Sequence, residues 1–123
     1  MPTPPQRLKR RAEFLRVASK GRKAPMPGVV LQALKRNDDA PARIGFTVTK
    51  KVGNAVIRNR TRRRLKEATR LLFDEPRLVG GGLTGVDLVL IGRDGTRKRD
   101  FIALKRDIVR AMEKAGVHLM RLI

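Results

Sequence analysis

A single Gly-Asn pair at residues 53–54 separates two segments whose apolar residues repeat with different periods. Before the pair, residues 43–49 alternate between apolar and small or polar side chains, which is the period of a strand with one buried face. After it, the pattern to about Phe73 has the period of a helix. Asn often begins a helix, so the pair predicts a strand that ends and a helix that begins within a few residues. The inner stripe of that helix consists of Ile57, Thr61, Leu65, Ala68 and Leu72.

Further elements are predicted on both sides of this strand and helix. Residues 11–20 predict a short helix that Gly21 ends, and residues 101–115 predict a final helix. Residues 29–35 predict a strand, and residues 86–92 predict another that is apolar enough to be covered on both faces. The expected order is α-β-β-α-β-α, a single-domain, two-layer α/β sandwich of the α+β class.

The remaining segments predict connections and one arm. Asp94-Gly95 predicts a turn, and the glycines at residues 80–82 predict a flexible loop. Residues 1–7 are rich in Pro and predict a disordered or extended arm. With no internal repeat, residues 1–123 are expected to form one domain.

The two faces of the strand at residues 43–49 differ in chemistry. Ile44, Phe46 and Val48 share one face, which the two long helices are expected to cover. The opposite face carries Gly45 and Thr47, so it should be flat, small and polar, with only the short first helix beside it. A half-open groove next to a basic helix is a place where an extended strand of nucleic acid can lie.

The positive charge of the chain is concentrated in two segments. The formal net charge is +19, of which residues 1–23 carry +7 and residues 43–70 carry +9. A charge of this size favours a polyanionic partner, and its concentration indicates binding faces. Charge alone leaves a merely solvated basic helix open as an alternative. A DNA-reading helix-turn-helix is disfavoured, because a strand and not a helix precedes the basic helix, and we expect no DNA partner.

Several kinds of chemistry are excluded by what the chain lacks. It has no Cys, one His (His118) and one Ser (Ser19), which excludes thiol chemistry and disulfides and leaves almost no room for a Ser/His triad or a multi-His metal site. No apolar run is long enough for a signal peptide or a membrane span. A soluble, cytoplasmic protein without a membrane partner is expected.

Residues suited to phosphate binding follow one another from Lys50 to Arg64. Lys50 and Lys51 end the strand, Gly53 allows close approach of a ligand to the backbone, and the helix that follows offers unpaired amides and a partial positive charge. Farther along, the cations outside the apolar stripe face outward, and Arg favours two-pronged contacts with phosphate. These outward cations are Arg60, Arg62, Arg63, Lys66 and Arg70.

The order of these residues resembles a known family. Residues 43–67, RIGFTVTKKVGNAVIRNRTRRRLKE, closely resemble the signature of the bacterial ribonuclease P protein subunit, and Arg58-Asn59-Arg60 matches its "RNR" motif. Residues 7–21 are similar to the first-helix segment of the family, and residues 87–93 and the final helix also fit. The resemblance covers nearly the whole chain, and its specificity lies in residues 43–64.

The resemblance implies a partner and a division of labour. The family works with a large catalytic RNA to remove the 5′ leader from precursor tRNA, and the RNA holds the active site and its magnesium ions. Residues 1–123 would then be a single RNA-binding domain that is part of an endoribonuclease. The resemblance therefore implies no catalytic residue, metal site or cofactor on the protein itself. The resemblance also implies a left-handed crossover around the helix near Val56, against the general right-handed preference.

The resemblance also assigns residues to the two RNA ligands. The set expected to face RNA is Lys50, Lys51, Asn54, Arg58, Asn59, Arg60, Arg62 and Arg63. The set expected to line a cleft for the single-stranded leader is Phe14, Val17, Gln32 and Thr47.

One position departs from the family pattern, and two other functions stay open. Ala18 stands where many members have a second aromatic, and the chain has no Tyr or Trp, so stacking on the leader would rest on Phe14. Ordinary core packing is the alternative for Phe14. A structural RNA-binding protein of the ribosomal or assembly type is the main alternative function. A cationic membrane-active protein is a weaker one, since no strongly apolar basic helix is present.

Overall fold

A mixed sheet forms the centre of the protein in a computed structural model that describes residues 6–74 and 83–117. The long helices follow from the apolar stripes of the sequence, and the central strands follow from its alternating or continuously apolar runs. In chain order the elements are β1 (Gln6–Arg7), α1 (Arg11–Lys20), β2 (Arg22–Met26), β3 (Val29–Lys35), β4 (Arg43–Val48), a 3₁₀ turn (Lys50–Val52), α2 (Ala55–Asp74), β5 (Val86–Gly92), α3 (Asp94–Lys98) and α4 (Phe101–Lys114).

The strands lie in the order β1-β4-β5-β3-β2. β4 runs parallel to β5 and to β1, whereas β3 is antiparallel to both β5 and β2. Because β4 and β5 are parallel neighbours, the chain must cross over between them, and α2 lies in that connection. The left-handedness of this crossover stays a prediction.

The predicted α+β fold is confirmed, and four short elements were not predicted: β1, β2, α3 and the 3₁₀ turn. β2 is an edge strand with one buried residue, Ala24, and with Pro25 beside it, so it lacks the alternation of a half-buried strand. β1 is only two residues long, and it places Gln6 and Arg7 of the expected arm against β4.

The turn predicted at Asp94-Gly95 is wrong, since these residues begin α3. The Thr96 hydroxyl accepts a hydrogen bond from the backbone N–H of Arg93 (2.9 Å) and donates one to the carbonyl of Gly28 (2.6 Å). The second of these partners is distant in sequence, so a local turn pattern could not reveal it.

The two faces of the sheet are covered by different helices. α2 and α4 pack on one face, where Ile44, Leu88 and Leu90 join the main core with Leu65 and Ile108. This is the face that the sequence predicted to be covered. α1 lies across the opposite face, over a smaller apolar cluster. The rest of that face borders a cleft.

Some sequence features lie outside the described residues. These are residues 1–5 of the arm, the loop at residues 80–82 and His118. No helix of the described ranges is long and apolar enough to cross a membrane.

Candidate nucleic-acid interface

A cleft of about 510 Å³ lies between α1 and the open face of the sheet. Its floor contains Val89 and Ile91 of β5, and strand register sets Gln32 beside Val89 and Thr47 beside Ile91. The floor is therefore apolar in the middle, with polar side chains on both neighbouring strands. We call this space the cleft; it is lined by Lys9, Arg11, Phe14, Leu15, Ala18, Gln32, Phe46, Thr47, Val89 and Ile91.

The wall of the cleft nearest β4 is formed by Phe14, which lies directly against Gly45. A Cβ atom added at Gly45 would be 2.4 Å from Cε1 of Phe14, so a residue with a side chain would displace the ring. Phe14 is half-buried and packs against the cluster of Leu8, Val17 and Val89, yet it also lines the cleft. The Phe14 side chain therefore both packs in the smaller apolar cluster and forms part of the cleft wall.

The cleft brings together three of the four residues expected to bind the leader. Phe14, Gln32 and Thr47 line it, whereas Val17 is 0% exposed, on the side of α1 that packs against Leu8 and Val89. Sequence reasoning did not assign Leu15 to the cleft, although it is 54% exposed there. Ala18 also lines the cleft, with a small side chain where many members of the family have an aromatic.

The junction between β4 and α2 has the geometry that its Gly-Asn pair predicts. Gly53 has φ +155° and ψ −162°, a region that is essentially restricted to glycine. The Asn54 side-chain oxygen accepts a hydrogen bond from the N–H of Ile57 at 3.0 Å, which confirms Asn54 as the helix cap. The prediction that Lys50 and Lys51 end the strand is wrong, because β4 already ends at Val48 and both lysines are exposed in the 3₁₀ turn that follows. The N-terminus of α2 is therefore flanked by cations.

The outer side of α2 presents four arginines and one asparagine, which we call the basic helix face: Arg58, Asn59, Arg60, Arg62 and Arg63. Asn59, Arg60 and Arg63 are exposed, and Arg62 donates a hydrogen bond to the Asn59 oxygen at 2.8 Å. Across residues 6–74 and 83–117, no carboxylate pairs with Arg60 or Arg63. Their charge is available to an anionic ligand.

Two other arginines of α2, Arg58 and Arg64, differ from the exposed Arg60 and Arg63 because part of each side chain is turned toward the protein. The Nε atom of Arg58 is buried and has no hydrogen-bond partner among the described residues. Arg64 turns toward α3 and α4, where it donates hydrogen bonds to the carbonyls of Thr96 and Arg99 and lies 5.3 Å from the ring centre of Phe101. Arg64 is thus a structural residue within a basic sequence.

A further cation, Lys66, lies between the basic helix face and the cleft wall. It lines a small pocket at the β4 edge together with Phe14 and Arg7. Burial lowers the pKa of Lys66, and the positive charges of Arg7 and Arg62 lower it further. A phosphate between these cations would relieve their repulsion.

An ionic network at the N-terminal end of α1 was missed by the sequence reasoning. Asp87 is 3% exposed and accepts hydrogen bonds from Arg36 and Arg43, and Arg43 also pairs with Glu13. Burial by itself raises the pKa of Asp87, but the hydrogen bonds from Arg43 and Arg36 outweigh burial and lower it. The only sequence signal was one carboxylate inside an otherwise apolar strand.

Comparison with known proteins assigns this arrangement to a family. The model of the family described as Ribonuclease P matches residues 3–116. The chain belongs to the ribonuclease P protein family. Family membership confirms the resemblance carried by residues 43–64, and it makes the chain a component of a tRNA-processing ribonuclease. A structural RNA-binding protein of the ribosomal type is not favoured.

Curated members of the ribonuclease P family are similar over most of the chain. A ribonuclease P protein component from Gluconacetobacter diazotrophicus is 69% identical over 112 residues, which cover 90% of this chain and 91% of the relative. One from Paramagnetospirillum magneticum is 47% identical, covering 89% of this chain and 82% of the relative.

Solved structures of the family have the same fold. The Staphylococcus aureus ribonuclease P protein superposes with a TM-score of 0.71 at 26% identity, covering 90% of this chain and 95% of that one. The Thermotoga maritima protein gives a TM-score of 0.69 at 24% identity over 89% of this chain and 96% of that one, a likeness of fold alone.

Proposed function

We propose that the chain binds the catalytic RNA of ribonuclease P through the basic helix face and the 5′ leader of precursor tRNA in the cleft, and so promotes 5′ maturation of tRNA. The observation that carries the proposal is the presence of two surfaces of different chemistry on one small domain. The basic helix face is exposed and cationic, which suits the phosphates of a folded RNA. The cleft is apolar and aromatic with cations nearby, which suits unstacked bases.

The cleft supports a single-stranded ligand for a physical reason. Bases in a duplex are stacked on each other and cannot reach an aromatic ring, whereas the bases of a leader can. Phe14 offers the ring, Gln32 and Thr47 offer hydrogen-bonding groups, and Lys9 and Arg11 can meet the backbone phosphates. One stacked base on Phe14 is worth about 1–3 kcal/mol.

In this proposal the bond cleavage belongs to the RNA partner, and magnesium ions belong to the holoenzyme. The chain's chemistry supports this division, since it has no Cys, one His and one Ser. In the described ranges, no three His, Asp or Glu side chains are grouped so that they could hold a metal ion. The protein would then act by binding and by orienting RNA. We place this work in the cytoplasm, where bacterial tRNA precursors are made.

Reconstitution tests the proposal. The protein is added to bacterial ribonuclease P RNA at a magnesium concentration too low for the RNA alone to act, and cleavage of precursor tRNA is followed. We expect the protein to restore cleavage at the 5′ end of the mature sequence. RNA binding without any stimulation of cleavage would instead support a structural RNA-binding role.

A further inference from the structure

One carboxylate joins the start of α1 to the sheet. Oε1 of Glu13 accepts hydrogen bonds from the backbone N–H groups of Lys9 (3.1 Å) and Arg10 (2.8 Å), which caps the helix. Its other oxygen, Oε2, accepts a hydrogen bond from Nη1 of Arg43 on β4. Glu13 therefore has two separate tasks, one within the helix and one across to the sheet.

Arg43, which pairs with Glu13, is itself held in place by Asp87. Nε of Arg43 donates to Oδ1 of Asp87 at 2.9 Å, and its Nη2 donates to Oδ2 at 2.7 Å. Asp87 is buried and also receives a hydrogen bond from Arg36, the residue that follows β3. A two-pronged pair with a buried carboxylate leaves a guanidinium little freedom. Arg43 thus links Glu13 to Asp87 of the central strand β5, and this link fixes the position of Glu13 relative to the sheet.

The next residue of α1 is the aromatic wall of the cleft. Glu13 contacts Arg43, and Phe14 lies on Gly45, which is two residues farther along the same face of β4. Two consecutive residues of the helix are therefore matched to two alternate residues of the strand. A shift of the helix at Glu13 must move the ring at Phe14.

We propose that Glu13 is a positioning residue for the leader: through Arg43 and Asp87 it fixes the height of the Phe14 ring above the floor of the cleft. Glu13 touches no RNA in this role. The positioning of the ring concerns the protein alone, whereas the consequence for leader binding rests on the proposed function of the cleft.

Whether removal of Glu13 strengthens or weakens leader binding distinguishes a positioning role from a purely electrostatic one. Glu13 is a negative charge close to a surface proposed to bind RNA, so its removal should strengthen RNA binding if charge alone mattered. If Glu13 positions Phe14, its removal should weaken binding of the leader. The variant Glu13→Gln makes this contrast clean, because Gln keeps the oxygen that caps α1 while it loses the charge that holds Arg43.

The first experiment observes the ring in the free, full-length protein. A proton close to an aromatic ring has its NMR frequency shifted by the ring current, so the Hα resonances of Gly45 report the place of Phe14. Phe14→Ala gives their positions without the ring. We expect Glu13→Gln to move them toward those positions, and the matched control Glu67→Gln, which removes an exposed charge from α2, to leave them unchanged. Unmoved Gly45 resonances in a folded Glu13→Gln protein would overturn the proposal.

The second experiment measures affinity in the reconstituted holoenzyme for precursor and for mature tRNA. We expect Glu13→Gln to reduce the preference for precursor about three- to tenfold. In the Phe14→Ala background the same change should have little further effect, since the ring that it positions is gone. A preference that is unchanged or increased in Glu13→Gln, with Phe14→Ala reducing it, would overturn positioning and leave the leader cleft standing. An unchanged preference in Phe14→Ala would overturn the leader cleft itself, and the leader role of Glu13 with it.

If Glu13→Gln proves too unstable to assay, Arg43→Lys serves in its place. Lys keeps the positive charge but cannot bridge Asp87 and Glu13 with a rigid fork. The same movement of the Gly45 resonances and the same loss of precursor preference are expected. Wild-type values for both in Arg43→Lys would count against the proposal.

Discussion

At the scale of single residues, Asp87 has the clearest link to stability. Its pKa is held below the usual 3.8 because hydrogen bonds from Arg43 and Arg36 outweigh the effect of burial. A carboxyl whose pKa is lower in the folded state contributes stability above its unfolded pKa and loses it as the pH falls through the folded pKa. The pKa of Glu13, on the facing helix, is also lowered, by the backbone hydrogen bonds from Arg10 and Lys9 and by Arg43.

We therefore predict that the free energy of unfolding declines below about pH 4. Asp87→Asn should lower it by about 3 kcal/mol at neutral pH, because two partly buried arginines lose their partner. The variant should also show a shallower decline in acid. Urea denaturation of both proteins between about pH 3 and pH 7 measures this. An acid dependence equally steep in Asp87→Asn would show that other carboxylates are responsible.

Substitutions of two arginines one turn apart on α2 are predicted to have different effects, one on RNA binding and the other on stability. Arg60 is exposed, so Arg60→Ala should change stability by no more than about 0.5 kcal/mol and reduce the salt dependence of RNA binding by about one phosphate contact. Arg64 holds two carbonyls and a ring, so Arg64→Ala should cost about 1–3 kcal/mol of stability.

Thermal unfolding and RNA binding as a function of salt, measured on both variants, check this contrast. Each variant is the control for the other, since both remove one positive charge from the same helix. A stable Arg64→Ala with weakened RNA binding would place Arg64 on the basic helix face, contrary to its contacts.

At the scale of elements, the first turn of α2 serves folding and, in the proposed function, RNA binding. Asn54→Ala should cost about 1 kcal/mol, since the N–H of Ile57 loses its acceptor. Asn54→Asp should keep the cap and interact well with the helix dipole, yet place a negative charge where we propose that phosphates bind. We predict a stable Asn54→Asp protein with weaker RNA binding. Denaturation midpoints and RNA affinities test this pair, and undiminished affinity in Asn54→Asp would move the RNA away from this turn.

The elements that the sequence predicts are those whose burial follows a local period. β4, α2 and β5 have such patterns, and the structure has them within about one residue of the predicted bounds. β1 and β2 lie at the two edges of the sheet and bury little, so their sequences contain no comparable pattern. α3 depends on a hydrogen bond between Thr96 and Gly28, which are distant in the sequence.

Some features of the candidate site could likewise be predicted from local sequence patterns, and others could not. The cap at Asn54 and the outward cations of α2 depend on residues that are close in sequence, and a pattern can reveal them. The seat of Phe14 on Gly45 and the bridge from Glu13 to Arg43 join residues about thirty positions apart. Contacts of that kind depend on how α1 packs on the sheet, which no local period specifies. For the same reason the burial of Val17 between α1 and the sheet was not foreseen.

At the scale of the whole molecule, the distribution of charge fits two RNA ligands. The two most basic segments contribute helices to opposite faces of the sheet: residues 1–23 include α1 beside the cleft, and residues 43–70 include the basic helix face on α2. Acidic partners hold the cations that build the fold, such as Arg43 and Arg99, whereas Arg60 and Arg63 have none among the described residues. The excess charge is thus separated from the charge that stabilises the protein.

The central claim is that these two surfaces bind different RNAs, and one comparison tests it most directly. Phe14→Ala and Arg60→Ala are each reconstituted with ribonuclease P RNA, and three affinities are measured: protein for that RNA, holoenzyme for precursor tRNA, and holoenzyme for mature tRNA. We predict that Arg60→Ala weakens assembly about three- to tenfold with the precursor preference kept. Phe14→Ala should leave assembly intact and reduce the precursor preference by about fivefold or more. An exchange of these two effects between the variants would contradict the account.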